Sequence, residues 1–93
     1  MFNEKSLLNF MKLLRENKIP FAFQCDETMK ATFWVPNKEI IYVKCSVWQE
    51  KDGFGFLSNY TRPRIIPCDL TLEEAFEKVK EHYNHEVGDV FAR

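Results

Sequence analysis

Apolar residues recur at helical spacing at both ends of the chain and alternate at strand spacing between them. The N-terminal run carries Leu7, Leu8, Phe10, Met11, Leu13 and Leu14. At 100° per residue these sweep an arc of roughly 220°, wider than a helix lying on one sheet face needs. Such a helix should touch two things, the sheet and either a second helix or a partner chain. Asn3 stands as its N-cap, with Phe2 and Leu7 at the two positions of a hydrophobic staple. Asn17 followed by Ile19-Pro20 should end it, since the residue before proline disfavours the helical region.

Four alternating segments follow. Phe21, Phe23 and Cys25 alternate with Ala22 and Gln24, and Asp26-Glu27-Thr28 breaks the pattern. Ala31, Phe33 and Val35 alternate with Thr32 and Trp34, closed by Pro36-Asn37-Lys38. Ile41, Val43, Cys45 and Val47 give the third strand's inner side within the run from Glu39 to Thr61. Asp52-Gly53 then signals a tight hairpin, because a type I′ turn needs positive φ at both central residues. With those two as the loop, Lys51 faces Phe54, Gln49 faces Phe56, Val47 faces Ser58, Trp48 faces Leu57 and Cys45 faces Tyr60. The inner face is then Val43, Cys45, Val47, Phe54, Phe56 and Tyr60, because side chains alternate across a strand. Odd-length loops keep these inner sets on one side and make Trp34 and Tyr42 cross-strand neighbours on the other.

Arg62-Pro63-Arg64-Ile65-Ile66-Pro67 is bracketed by prolines and reads as a connector or short edge strand. Thr71 with Glu74 forms a capping box for a second helix. Its apolar stripe, Leu72, Ala75, Phe76, Val79 and Tyr83, is a narrow one of about 100°, with Glu74 and Lys78 at i,i+4 and Gly88 as the C′ residue. The expected architecture is a single α+β domain over residues 1–93, in the order α-β-β-β-β-α. It is an antiparallel meander sheet with two helices packed on one face.

At 93 residues the chain fits one domain, and such a length buries roughly 65% of the surface its unfolded form exposes. Thirteen basic against fourteen acidic side chains leave a formal charge of −1, so neither the basic footprint of a nucleic-acid binder nor the acidic one of a nucleic-acid mimic is present. Cys25, Cys45 and Cys68 are odd in number and form no C-x-x-C, which reads as reduced thiols serving as small apolar residues. No leader-like N-terminus and no run of transmembrane length is visible, so the expectation is a cytoplasmic protein without a membrane partner.

Gly53-Phe54-Gly55-Phe56-Leu57 resembles the aromatic octapeptide of RNA-recognition motifs and the Gly-Phe-Gly-Phe strand of cold-shock domains. That resemblance covers these five residues and implies Phe54 and Phe56 stacked on bases; the alternative function is a single-stranded nucleic-acid binder using Phe54, Phe56, Trp48, Arg62 and Arg64. Asp52 stands where those families favour a basic residue, and the hairpin register turns Phe54 and Phe56 into the core instead. The helix–strands–helix order is also similar to double-stranded-RNA-binding domains, whose last helix starts with basic residues where this one reads Leu72-Glu73-Glu74.

Chemistry is sparse. His82 and His85 lie three apart on the second helix, His82 at the edge of the apolar stripe and His85 on the solvent side, but no cysteine pair offers zinc-ligand spacing. Ser6, Ser46 and Ser58 sit in ordinary helix or strand contexts, and Cys68 has Asp69 beside it. No catalytic residue, cofactor or metal is expected. Aromatic content is high, at 15%, and the outer sheet face is where it becomes informative. Trp34, Ile40, Tyr42, Trp48 and Leu57 form a candidate protein-binding patch for another protein or a second copy, because contiguous exposed apolar surface on a small protein marks interfaces. The competing expectation is that the tail, the 62–67 connector or a helix covers them.

Overall fold

A computed structural model describes residues 4–25, 31–50, 53–60, 66 and 68–86. Its elements are α1 (Glu4–Glu16), β1 (Ala22–Cys25), β2 (Ala31–Pro36), β3 (Lys44–Glu50), β4 (Gly53–Leu57) and α2 (Leu72–Asn84). The four strands form one antiparallel sheet in sequential order, and the helices pack against it. This is the α+β meander that the alternation predicts. The expected N-cap Asn3, the staple residue Phe2 and Gly88 lie outside the described residues.

Phe33, Val35, Cys45, Val47, Phe54 and Phe56 are all buried in a single core with Leu7, Phe10 and Leu14 of α1 and Ala75, Phe76 and Val79 of α2. Phe10 is the hub. Its ring lies 5.0 Å from Phe33, 5.5 Å from Phe54 and 6.4 Å from Phe76. Thus α1 meets both the sheet and α2, as its apolar arc requires. The arc is nonetheless wider than its use, for Leu8 stays exposed.

The helix ends differ in chemistry. Lys18, not the approach to Pro20, stops α1: it takes a left-handed φ of 56°. Lys18 N–H then donates to Arg15 C=O at 3.0 Å and Ile19 N–H to Leu14 C=O at 2.9 Å, the bond pair of a Schellman cap. The Thr71 capping box forms as the sequence predicts, with Glu74 N–H on Thr71 Oγ1 at 3.1 Å and Thr71 N–H on Glu74 Oε1 at 2.9 Å.

Three strand expectations need correction. In the β3–β4 hairpin Glu50 faces Gly53, Gln49 faces Phe54, Trp48 faces Gly55, Val47 faces Phe56 and Ser46 faces Leu57. Gly53 is therefore a strand residue and not a loop residue. Its glycine is needed because a Cβ there would lie 2.5 Å from the carbonyl oxygen of Leu70, at a φ of 155°. Leu70 bridges the free side of β4 through two backbone bonds to Phe54. The register is offset by two residues, which preserves the faces but separates Trp48 from Leu57.

Second, β3 starts at Lys44, so Ile41 does not point inward and Tyr42 does not oppose Trp34. They are 72% and 81% exposed, and Trp34 faces Ser46. The cause is Asn37, whose Oδ1 accepts from Glu39 N–H and Ile40 N–H at 2.9 and 3.0 Å. A side chain that bonds nearby backbone competes with the ladder. Third, β1 is exposed at every position, so Cys25 is not a core thiol and neither is Cys68. Only Cys45 is buried, and burial pushes its thiol up to about 12. All three cysteines are free.

Candidate functional site

The outer sheet face is built by the same registers. One cross-strand row runs Ala22, Trp34, Ser46, Leu57, and the next runs Gln24, Thr32, Trp48, Gly55. Trp34 and Leu57 thus flank Ser46 and roof it over, leaving the serine buried while they remain 38% and 44% exposed. Trp48 is half-buried because its indole lies on Gly55, filling the place a Cβ would occupy there. Its Nε1–H donates to Glu50 Oε1 at 2.5 Å. The helices occupy the opposite face, and among the described residues no helix or strand covers this one.

Of the five residues proposed for protein binding, the structure brings together Trp34, Trp48 and Leu57. Ile40 and Tyr42 lie apart from that ladder in the β2–β3 loop, Ile40 half-buried and Tyr42 exposed. Phe54 and Phe56 face the core and are buried, so stacking on a base would require opening it. Arg62 and Arg64 lie outside the described residues.

A second cluster was not visible in the sequence. Ser58, Tyr60, His82 and His85 line an open pocket of about 260 Å³ with Phe56, Lys78 and Glu81. Tyr60 is not the inner-face partner of Cys45; it lies in the turn after β4, stacked on His85 at 4.1 Å and tilted on His82 at 5.1 Å. His85 is correspondingly half-buried and not on the solvent side. Ser58 Oγ lies 2.6 Å from His82 Nδ1, and His82 Nε2 lies 3.2 Å from Val43 C=O. A carbonyl only accepts, so Nε2 carries the proton and Nδ1 accepts from the serine hydroxyl. Ser58 Oγ also accepts from Tyr60 N–H at 3.1 Å.

This serine–histidine pair has the residue types of an activated nucleophile, held within a network of further bonds. The oxygen is buried and already bonded twice, and the histidine's far nitrogen is held by a carbonyl and not by an acid. Burial, with His85 adding to it, lowers the His82 pKa against the opposing pull of the Val43 bond, so the ring is neutral near pH 7. Asn37 completes the node. Fully buried, it donates from Nδ2 to His82 C=O and His85 C=O, both at 2.9 Å, closing the C-terminal end of α2. Lys38 N–H donates to Tyr83 C=O at 2.9 Å alongside. The node stitches the β2–β3 loop, the turn after β4 and the end of α2 together. Tyr60 Oη is shielded with no hydrogen-bond partner among the described residues, and desolvation, with Glu39 and Tyr42 nearby, pushes its phenol up.

One signal could have pointed here: His82 falls three residues after Val79, the spacing that continues a buried helical face. Among the described residues no group of three His, Cys, Asp or Glu side chains could hold a metal ion, and no helix is long and apolar enough to cross a membrane. No protein-family model, curated protein or solved structure matches this chain.

Proposed function

We propose that this protein is a non-catalytic binding module, of the inhibitor type, that recognises another protein through its outer sheet face. The observation that carries the reading is the placement of Trp34 and Leu57, about two-fifths exposed, on either side of a buried serine with Trp48 diagonally adjacent. Tryptophan is enriched among residues that dominate binding energy, since it offers large area at little conformational cost. Glu50, anchored on Trp48, gives the patch a polar border. The buried, doubly bonded Ser58 favours a structural role for the serine–histidine pair over a catalytic one.

The test is site-directed photo-crosslinking in extracts of the source cell, with the crosslinker in place of Leu57 and, as a control, in place of Glu77 on the helix side. One discrete protein adduct specific to position 57 is expected. Unlabelled wild-type protein should compete it away, whereas a Trp34→Ala plus Leu57→Ala protein should not. That double variant should retain a cooperative melt, because partly exposed sites cost little stability. Absence of a specific adduct would end this reading. A nucleic-acid adduct whose affinity falls steeply with salt would replace it with the single-strand-binding alternative.

A further inference from the structure

The two edges of the sheet are unequal. The free side of β4 is bridged by Leu70 through a pair of backbone hydrogen bonds at 2.8 and 3.1 Å. Beyond β1 no described strand or helix pairs, and all four of its residues are exposed. Natural edge strands are guarded by charged side chains, proline or bulges. Ala22-Phe23-Gln24-Cys25 has none of these. Phe23 points to the helix side of the sheet, opposite Phe33 with ring centroids 5.0 Å apart, yet remains 39% exposed because the helices do not reach that far.

We propose that β1 is a self-pairing edge, and that two copies of the chain join there antiparallel into one continuous sheet. Antiparallel pairing of identical strands places a twofold axis normal to the sheet, so both helix layers lie on the same side. Residues opposite each other must then share a face. Setting Phe23 opposite its own copy satisfies this and brings the two exposed rings together beside the two Phe33 rings. Ala22 then lies opposite Gln24 on the other face. An uncharged strand meets no repulsion from its copy, whereas a charged partner strand would find nothing on it to complement. With one open edge among the described residues of each chain, the pairing closes as a dimer and does not propagate as a filament. This inference uses a different surface from the outer-face site and does not rest on it.

Sedimentation velocity of the full chain across a concentration series should show a reversible monomer–dimer equilibrium. Phe23→Lys and Phe23→Glu proteins should each sediment as monomers where the wild type is mostly dimer, since each sets like charges at the axis. An equimolar mixture of the two should regain the dimer. Because Phe23 touches Phe33, a second variant guards against misfolding: Phe23→Cys with Cys25→Ser and Cys68→Ser. Under mild oxidation it should form a disulfide-linked dimer, while Lys80→Cys in the same Cys25→Ser, Cys68→Ser background should not. A wild type that stays monomeric at its highest soluble concentration, charge variants that fold and dimerise like the wild type, or a Phe23→Cys protein that fails to crosslink would each overturn the proposal. So would a dimer lost in the Trp34→Ala plus Leu57→Ala protein but kept in the Phe23 variants, which would move self-association to the outer face.

Discussion

Phe33 and Trp34 are neighbours on the same strand and live in different environments. Phe33 is fully buried, with Phe10, Phe21 and Phe23 around its ring. Trp34, one residue on, faces away from both helices and is more than a third exposed. The contrast extends across β2, β3 and β4: one face is closed by α1 and α2 and sealed at its end by the Asn37–His82 node, while the other carries the larger rings with nothing described above them. A sheet face is chosen by period-two alternation, but whether a face is covered depends on elements elsewhere. Among the described strand residues, Phe23, Phe33, Phe54 and Phe56 lie on the first face and both tryptophans on the second.

The sharpest test of that contrast compares the two neighbours directly. Phe33→Ala should cost about 3–5 kcal/mol, since it removes a ring from a filled core and leaves a cavity. Trp34→Ala should cost about 1 kcal/mol, the centre of the range for point substitutions in general, since the ring is partly buried. Denaturant unfolding of both proteins measures the difference. Equal losses would mean that the outer face is covered and the two environments are alike.

The seal at the end of the inner face comes next in size. Asn37→Ala removes two donated and two accepted hydrogen bonds at once. It leaves the buried His82 C=O with only the longer bond from His85 N–H at 3.4 Å, and it frees the β2–β3 turn. The expected loss is about 2–4 kcal/mol, because several hydrogen bonds, each worth about 0.5–1.5 kcal/mol, are lost together. Amide exchange should quicken at Glu39 and Ile40 and stay unchanged at Trp34 and Ser46. Uniform quickening across the sheet would show that the node is no separate seal.

These sites also mark where the sequence is readable. Alternation alone assigns Phe33, Val35, Cys45, Val47, Phe54 and Phe56 to one face, and Thr71 with Glu74 announces the start of α2, because both signals are local. The hairpin register is not local. Gly53 answers to the backbone of Asp69 and Leu70 pressed against it, which a turn signal cannot reveal. Asn37 binds carbonyls 45 and 48 residues away, so the loop it holds in place of a strand is set by the far end of α2. The exposure of β1 follows from how far the helices reach across the sheet, a packing property that the Phe-x-Phe pattern does not carry. Of the candidate site, the outward direction of Trp34, Trp48 and Leu57 was legible. The separation of Tyr42 and Ile40 from them, and the Ser58–His82 pair, were not.

The smallest expected effect is a pH dependence confined to the inner side. His82 is buried between Ser58 and Val43, with His85, Tyr60, Lys78 and Glu81 around the same pocket. Its folded-state pKa lies below the ordinary histidine value of 6.5, chiefly because burial disfavours the charged ring. The unfolded chain therefore binds the proton more readily than the native one, and stability rises with pH wherever that holds. The contribution is fully present above about pH 6.5, the unfolded value, and is lost as pH falls from there towards the lower folded pKa. The melting temperature should fall on acidification between about pH 6.5 and about pH 5, above the main range of carboxylate titration. In His82→Gln, whose side chain does not titrate, that slope should flatten even though the protein starts out less stable. Nothing on the outer face predicts a change in this window, so crosslinking through position 57 should hold constant while the melting temperature moves. If the slope in His82→Gln matches the wild type, protonation of His82 is not what loosens the inner side.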